Sequence, residues 1–359
     1  MPTGRIYIIV IMLLLLLAGC AQQPPQAANN EPAPEIKTVT DCEGRRVELP
    51  AQIEKIACLY AFTGHAVTLL GRGADIVAVN QGLPRDKMLL AVNPAIARAV
   101  VASGSDRINI EELLTVTPDV VFLAGDIADA ERDKLRKSDI PYLIADFHSM
   151  QAQIDTVKMI GAAIGREEQA EKYAAYYQDV ITRVTEVMKI IPETERVRLY
   201  HSINEATRSY LADSLPGEWT SLLADNVALR EELRLIDNKQ YASLEQILLW
   251  DPDVIFANED GVADYIMTDS RWSALQAVKT GKVYQMPVGV SRWGHPGSIE
   301  TPLGILWAAK TLYPQAFADV DPAQEAIWFY REFFSYELTA DEVAAILDGR
   351  GMRIRKGEQ

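Results

Sequence analysis

Short apolar runs alternate along this chain with longer segments whose apolar positions recur at helical spacing. The runs at 56–59, 76–79, 99–102, 120–123 and 142–145 are rich in Ile, Val, Leu and Ala, with little polar alternation. Such runs predict strands buried on both faces, as in a parallel sheet with helices packed on either side. The helical segments between them support this, the first at 63–70 with Gly71 as its stop. A hairpin over 38–49, turning at Cys42-Glu43-Gly44-Arg45, precedes the set. A second set of runs lies at 197–201, 210–212, 254–257 and 283–286. Between the two sets, 149–191 holds only two glycines, Gly161 and Gly165, and no proline. Its part 166–191 would span about 39 Å as one helix, ended by Pro192. A further helix is expected from Thr301 as N-cap with Pro302 as its first residue, and amphipathic helices at 323–334 and 340–347 finish the chain.

One phrase occurs twice. Residues 109–125 read NIEELLTVTPDVVFLAG and 243–259 read SLEQILLWDPDVIFANE, aligned without a gap at an offset of 245 − 111 = 134. Each copy opens with a capping residue, Asn109 or Ser243. Glu112 or Gln246 follows three positions later as its capping-box partner. A short helix, a Pro-Asp breaker and a buried strand complete each copy. Half an α/β unit written twice predicts two α/β lobes with mainly parallel sheets, joined by the long central helix. Glu111 and Glu245 recur at the same place, although neither the cap nor the core requires an acid there.

Composition changes this picture little. A chain of 359 residues suits two lobes. A net charge of −15 and the lack of a basic stripe argue against a nucleic-acid partner. Catalytic motifs are missing. Gly289-Val290-Ser291-Arg292-Trp293 lacks the second glycine of a nucleophile elbow, and Thr280-Gly281-Lys282 lacks the upstream glycine of a phosphate loop. His65, His148, His201 and His295 have no metal-ligand spacing. In parallel sheets ligands sit beyond the strand carboxyl ends. Those ends carry Tyr60, Phe62, His65, Asn80, Gln81, Gly104, Asp126 and Phe147 in the first lobe. In the second, the glycine-rich stretch Ser291-Arg292-Trp293-Gly294-His295-Pro296-Gly297 follows the last strand.

The amino terminus carries the most specific short motif. Arg5 precedes an apolar run at 6–18 that is shorter than a usual membrane span, and Leu17-Ala18-Gly19-Cys20 follows. This has the anatomy of a secretory signal whose cleavage leaves Cys20 as a lipidated first residue. The Pro-, Ala- and Gln-rich residues after it read as a tether. The expected layout is therefore a signal peptide at 1–19, a tether at 20–36, a first lobe at 37–149, a linker helix region at 150–192 and a second lobe at 193–350. Cys42 and Cys58 are expected to be free thiols, buried or half-buried.

The cysteine motif, the Asp-Cys-Glu-Gly-Arg-Arg-Val-Glu-Leu-Pro opening, the repeated phrase, the central helix and Pro302 to Pro314 together resemble one family. It is the iron-siderophore, haem and vitamin B12 class of ABC-transporter substrate-binding proteins, and the resemblance runs from about Val39 to Leu347. It implies an extracytoplasmic, lipid-anchored receptor without an intrinsic cofactor. Such a receptor traps a metal chelate between its lobes and delivers it to a two-subunit ABC permease with its ATPase. It also implies that Glu111 and Glu245 dock on permease arginines. A bulky chelate would want aromatic walls and a cation, for which Tyr60, Phe62, Trp219, Trp293 and Arg292 are the candidates. A molybdate- or tungstate-type oxyanion, the alternative cargo, would want Arg292 with Trp293 and His295. A different class of function, a surface metalloenzyme, would use a metal held by His65 or His295.

Overall fold

The apolar runs become the inner strands of two separate sheets. The computed structural model describes residues 35–104, 107–237 and 239–354; the signal, Cys20 and all but the end of the tether lie outside the described residues. Strands β1 (Ile36–Thr40) and β2 (Arg46–Pro50) form the expected antiparallel hairpin, Thr38 opposite Glu48. Then come β3 (Ile56–Cys58), α1 (Ala61–Leu69), β4 (Ile76–Asn80), α2 (Lys87–Val92), β5 (Val100–Gly104) and β6 (Arg107–Ile108). Helix α3 (Ile110–Val116), β7 (Val120–Ala124), α4 (Asp129–Lys137) and β8 (Tyr142–Ala145) complete the first lobe. The sheet order is β6-β5-β4-β3-β7-β8, parallel except for β6. The chain winds outward through β3, β4 and β5 and then returns to the other side of β3. Strand order therefore reverses between β3 and β7.

Two helices cross to the second lobe, α5 (Met150–Ile164) and α6 (Glu167–Met188). Gly165 takes a left-handed conformation (φ +69°) and closes α5, and the helix expected at 166–191 follows as α6, shorter by one residue at its start and three at its end. The 22 residues of α6 span about 33 Å. The second lobe contains β9 (Arg198–Ser202), β10 (Arg208–Ser209), α7 (Leu215–Leu223), β11 (Asp225–Asn226), β12 (Arg234–Ile236), β13 (Lys239–Tyr241), α8 (Leu244–Trp250) and β14 (Val254–Ala257). It ends with α9 (Val262–Thr268), α10 (Gln276–Lys279), β15 (Val283–Gln285), α11 (Thr301–Leu312), α12 (Pro322–Phe334) and α13 (Ala340–Asp348). Its sheet, β11-β9-β14-β15, is wholly parallel and reverses order between β9 and β14. The side chains on one face of each sheet join a single apolar cluster that runs through α5 and α6, from Val39 and Ile56 to Phe256 and Trp293. Tyr173 on α6 donates to Ile299 O at 2.7 Å, and Gln153 on α5 to Ser298 O at 3.0 Å, so the crossing helices hold the loop after β15.

The two copies of the repeated phrase fold alike, position by position. Asn109 and Ser243 accept from the N–H groups of Glu112 and Gln246, and only the second pair closes a reciprocal capping box. Leu113 and Ile247, 134 residues apart, enter matching clusters on the outer faces of the two sheets. Thr117 and Asp251 end the helices in left-handed conformation. Asp119 Oδ2 then accepts from Glu54 N and Lys55 N, while Asp253 Oδ2 accepts from Arg198 N. Each aspartate thus pins the start of the neighbouring central strand, β3 or β9.

Three local expectations shift. The strand expected at 210–212 lies at Arg208–Ser209 and joins a small antiparallel sheet, β10-β13-β12. Thr301 is not the cap of α11: Glu300 holds that place and turns its carboxylate inward. Cys42 is exposed in the β1–β2 turn, and Cys58 is buried in β3, where burial pushes its thiol up to about 12. Both cysteines are free.

Candidate functional site

Open α/β sheets bind ligands beyond the strand carboxyl ends where strand order reverses, and here the two reversal points meet. On the first lobe, Tyr60 follows β3 and caps α1. That helix has no side-chain capping bond and no acid in its first turn, which leaves the partial positive charge of its N-terminus uncompensated. On the second lobe, Asn204 lies two residues beyond β9 and Glu259 two beyond β14. Arg292 joins them, its Nη1 donating to Asn204 Oδ1 at 2.5 Å and pairing with Glu259. A Cβ built on Gly297 would lie 3.5 Å from the Tyr60 hydroxyl and 3.7 Å from His295 Nδ1. Tyr60 from one lobe and His295 from the other therefore approach the same point.

The loop that carries Arg292 and His295 is tied down by a buried hydrogen-bond network. Buried Glu300 accepts from Ser291 N at 2.7 Å, from Ser291 Oγ at 2.9 Å and from the Tyr330 hydroxyl at 2.8 Å. The Tyr330 oxygen in turn accepts from Val290 N, and Ser291 Oγ meets Ser298 Oγ at 2.9 Å. Each donor satisfies a carboxylate that burial alone would penalise.

His295 Nδ1 accepts from Gly297 N at 3.2 Å, which assigns the ring proton to Nε2 in the neutral form. Its pKa is held well below the usual histidine value, first by burial and then by the positive charges of Arg292, Arg353 and Arg208 and by His201. Burial lowers that of Arg292 too, while Glu259 opposes the effect; a guanidinium still keeps its charge. Arg208, on β10, lies with its guanidinium 6.0 Å from the ring centre of Tyr210. Burial raises the Tyr210 phenol, with Arg208 and Arg292 acting the other way. The cleft thus holds Arg292, a neutral histidine with an N–H to donate and the phenol of Tyr60, with Arg208 and Arg353 near enough for their charges to act on His295 and with Glu259 and Asp86 offsetting part of the positive charge.

The other sequence candidates sit deeper. Phe62 is fully buried and packs on Phe147 with ring centres 4.6 Å apart. Trp219, also buried, lies against His201 at 5.2 Å, and Trp293 is closed off in the same core. His65 is buried on α1 with Nε2 3.5 Å from Asp86 Oδ2. Glu111 and Glu245 are exposed on α3 and α8. Among the described residues no three of His, Cys, Asp and Glu are grouped to hold a metal ion, and no described helix is long and apolar enough to cross a membrane. Arg208, Tyr210 and Arg353 are absent from the sequence-based candidates. The signal nearest to them was the polar character of 202–209 and the glycine pair, Gly349 and Gly351, after the last helix.

Comparison with known proteins agrees with this architecture. A model of the periplasmic binding protein family matches residues 56–288. The molybdate-binding protein MolA of Haemophilus influenzae is 26% identical over 332 residues, covering 86% of this chain and 93% of the relative. The solved structure of MolA bound to molybdate superposes with a TM-score of 0.77 at 23% identity, over 84% of this chain and 99% of that one. An ABC transporter substrate-binding lipoprotein of Bacillus subtilis, YvrC, is 23% identical over 79% of this chain and 87% of its own length. The Fe(3+)-citrate-binding protein YfmC of the same species is 26% identical over 59% of this chain and 67% of its own.

Proposed function

The chain belongs to the periplasmic binding protein family, and from that premise we propose that it is the extracytoplasmic receptor of an ABC importer whose cargo is a small, multiply charged oxyanion of the molybdate and tungstate class. The observation that carries this reading is the placing of Arg292, bonded to Asn204 and paired with Glu259 beyond the ends of β9 and β14, on one loop with His295, whose ring approaches the same point as the Tyr60 hydroxyl of the other lobe. Guanidinium forks and a neutral imidazole N–H suit tetrahedral oxygen atoms, and α1 offers an uncapped N-terminus beside them. The large rings that a wide, flat chelate would need, Phe62, Trp219 and Trp293, are buried in the core. The name and ligand of the Haemophilus relative point the same way.

An anionic ferric chelate is the second reading. Half-buried Tyr60, facing the cleft, favours it, as does the relative named for ferric citrate. Glu111 and Glu245, exposed at matching positions of the two lobes, serve in this proposal as the docking points for the permease. Cys20 serves as the lipid attachment point; its support is the Leu-Ala-Gly-Cys motif and a relative that is a lipoprotein by name.

Calorimetric titration with molybdate, tungstate, sulfate, phosphate and ferric citrate tests the reading. Molybdate and tungstate should bind, and Arg292→Ala should weaken them by about 1.5–3 kcal/mol, the range for a charged hydrogen bond. Binding of ferric citrate alone would transfer the assignment to the chelate, and unchanged affinity in the variant would place Arg292 outside the pocket.

A further inference from the structure

Beyond α13 the chain leaves its own lobe. Gly349 closes the helix at φ +73°, and a Cβ there would fall 2.2 Å from Met286 O, just past the end of β15. Only glycine allows both that conformation and that approach. Arg350 pairs with Asp264 and Asp348, and Gly351 N donates to Asp260 Oδ2 at 3.0 Å, all on the second lobe. The next three residues join the first lobe. Met352 O accepts from Lys87 N at 3.2 Å, Ile354 N donates to Arg85 O at 2.8 Å, and Ile354 O accepts from Arg85 Nε at 2.8 Å. Arg353 forms a β-bridge and an ion pair with Asp86. Residues 85–87 follow the carboxyl end of β4, and Met286 follows that of β15. The segment 349–354 is therefore a strap between the ligand-facing edges of the two sheets.

The strap places Arg353 in a particular electrostatic setting. Asp86 engages its Nε and also lies 3.5 Å from His65 Nε2. The strap sets Arg353 at the ligand-facing edge of the first sheet, beside residues 85–87, where its charge and that of Asp86 act with opposite sign on Arg292 across the cleft. Each guanidinium already has one carboxylate partner, Arg292 with Glu259 and Arg353 with Asp86, and each keeps further N–H groups with which to bind an anion lying between them. We propose that Arg353 is itself a ligand-binding residue, whose guanidinium pairs with the anion held by Arg292 and His295 while Asp86 fixes its orientation. The C-terminal strap is then part of the binding site as well as a second connection between the lobes. This inference rests on the oxyanion reading given above.

The test is titration of the full chain with sodium molybdate in four forms: wild type, Arg353→Gln, Asp86→Asn and the double variant, each with a ligand-free thermal melt. Arg353→Gln should bind at least tenfold more weakly, and the double variant should be no better than Arg353→Gln. If Arg353 only neutralises Asp86, removing both charges restores wild-type affinity; that result, or an Arg353→Gln variant that binds like wild type, overturns the proposal. Should Arg353→Gln melt at a lower temperature, Arg353→Lys takes its place. It keeps the charge facing Asp86 but loses the planar fork, and at least threefold weaker binding supports the proposal where unchanged binding sinks it. A wild type that binds none of the oxyanions refutes the oxyanion reading itself, which a molybdate-binding wild type with an insensitive Arg353→Gln does not.

Discussion

His201 gives the most quantitative prediction. It lies in the centre of the second sheet, opposite Phe256 in the register, with its ring 5.2 Å from that of Trp219 and its Nε2 without a hydrogen-bond partner among the described residues. Burial lowers its pKa from 6.5 to about 3, because the low-dielectric interior penalises the charged ring. In the unfolded chain the ring takes up a proton near pH 6.5; in the folded chain it stays neutral down to about pH 3. Between those values the unfolded state binds one more proton, so stability falls as the solution is acidified and is fully present only above the unfolded pKa. The slope is about 1.4 kcal/mol per pH unit, and from about pH 7.5 to about pH 4.5 this one site removes about 2.7 kcal/mol. His201→Phe keeps a ring against Trp219 and has nothing to protonate. Urea unfolding of wild type and variant at both pH values isolates the effect, since every other titrating group is shared. The variant should gain about 2.7 kcal/mol on wild type over that interval. Parallel stability curves would refute the reasoning, because they require His201 to titrate normally in the folded protein.

Two further predictions concern how the receptor works in the cell. Cys20→Ser should release the protein from the membrane fraction or stall its processing, and a variant that is processed and partitions like wild type removes the lipid anchor. Glu111→Arg and Glu245→Arg should reduce uptake while leaving ligand affinity of the purified proteins unchanged, with the double variant worse than either, since charge pairs at an interface govern encounter and orientation; uptake that survives both reversals removes the docking assignment.

The inner strands were legible because a strand covered on both faces must be apolar throughout. The runs at 120–123 and 254–257 sit where the pattern placed them, in β7 and β14. The small sheet β10-β13-β12 was not legible, for the converse reason. Arg234, Leu235 and Ile236 are all exposed, so no burial period marks them and only pairing with β13 makes them a strand. The long helix at 166–191 was legible from its apolar spacing and from the lack of a breaker before Pro192, and it folds as α6. The boundary before it was less plain, because a lone glycine is tolerated within a helix; Gly165 adopts a conformation other residues resist, and close packing of Gly161 on Ala170 re-aims the chain. The cationic half of the site was legible only in part. Arg292 stood out on a loop crowded with glycine and large side chains. Arg353 did not, since its partner Asp86 is 267 residues away and a single surface-type residue beyond the last helix carries no local period.

The duplicated phrase says more about function after folding than before it. In each copy several positions have an internal structural role. The first residue caps the helix, Leu113 or Ile247 enters the outer core, and Pro118 and Pro252 are buried. Asp119 and Asp253 pin the central strands, and Phe122 and Phe256 fill the shared core. Glu111 and Glu245 repeat an acid without such a role, because both are exposed and among the described residues neither forms an ion pair; the one other repeated identity of this kind is apolar, Leu114 and Leu248, exposed in the first copy and half-buried in the second. A first-turn acid gains about 0.3–1 kcal/mol from the helix dipole; in α3 Glu112 would meet that need without Glu111, whereas in α8 Glu245 is the sole first-turn acid beside uncharged Gln246. Dipole complementarity would therefore explain an acid somewhere in each first turn; it does not select the second residue in both. A partner that presents two equivalent cationic sites, one to each lobe, does select it. The fold supplies the rest of that geometry, because α3 and α8 cover corresponding faces of their sheets and α6 with the shared core holds the lobes together.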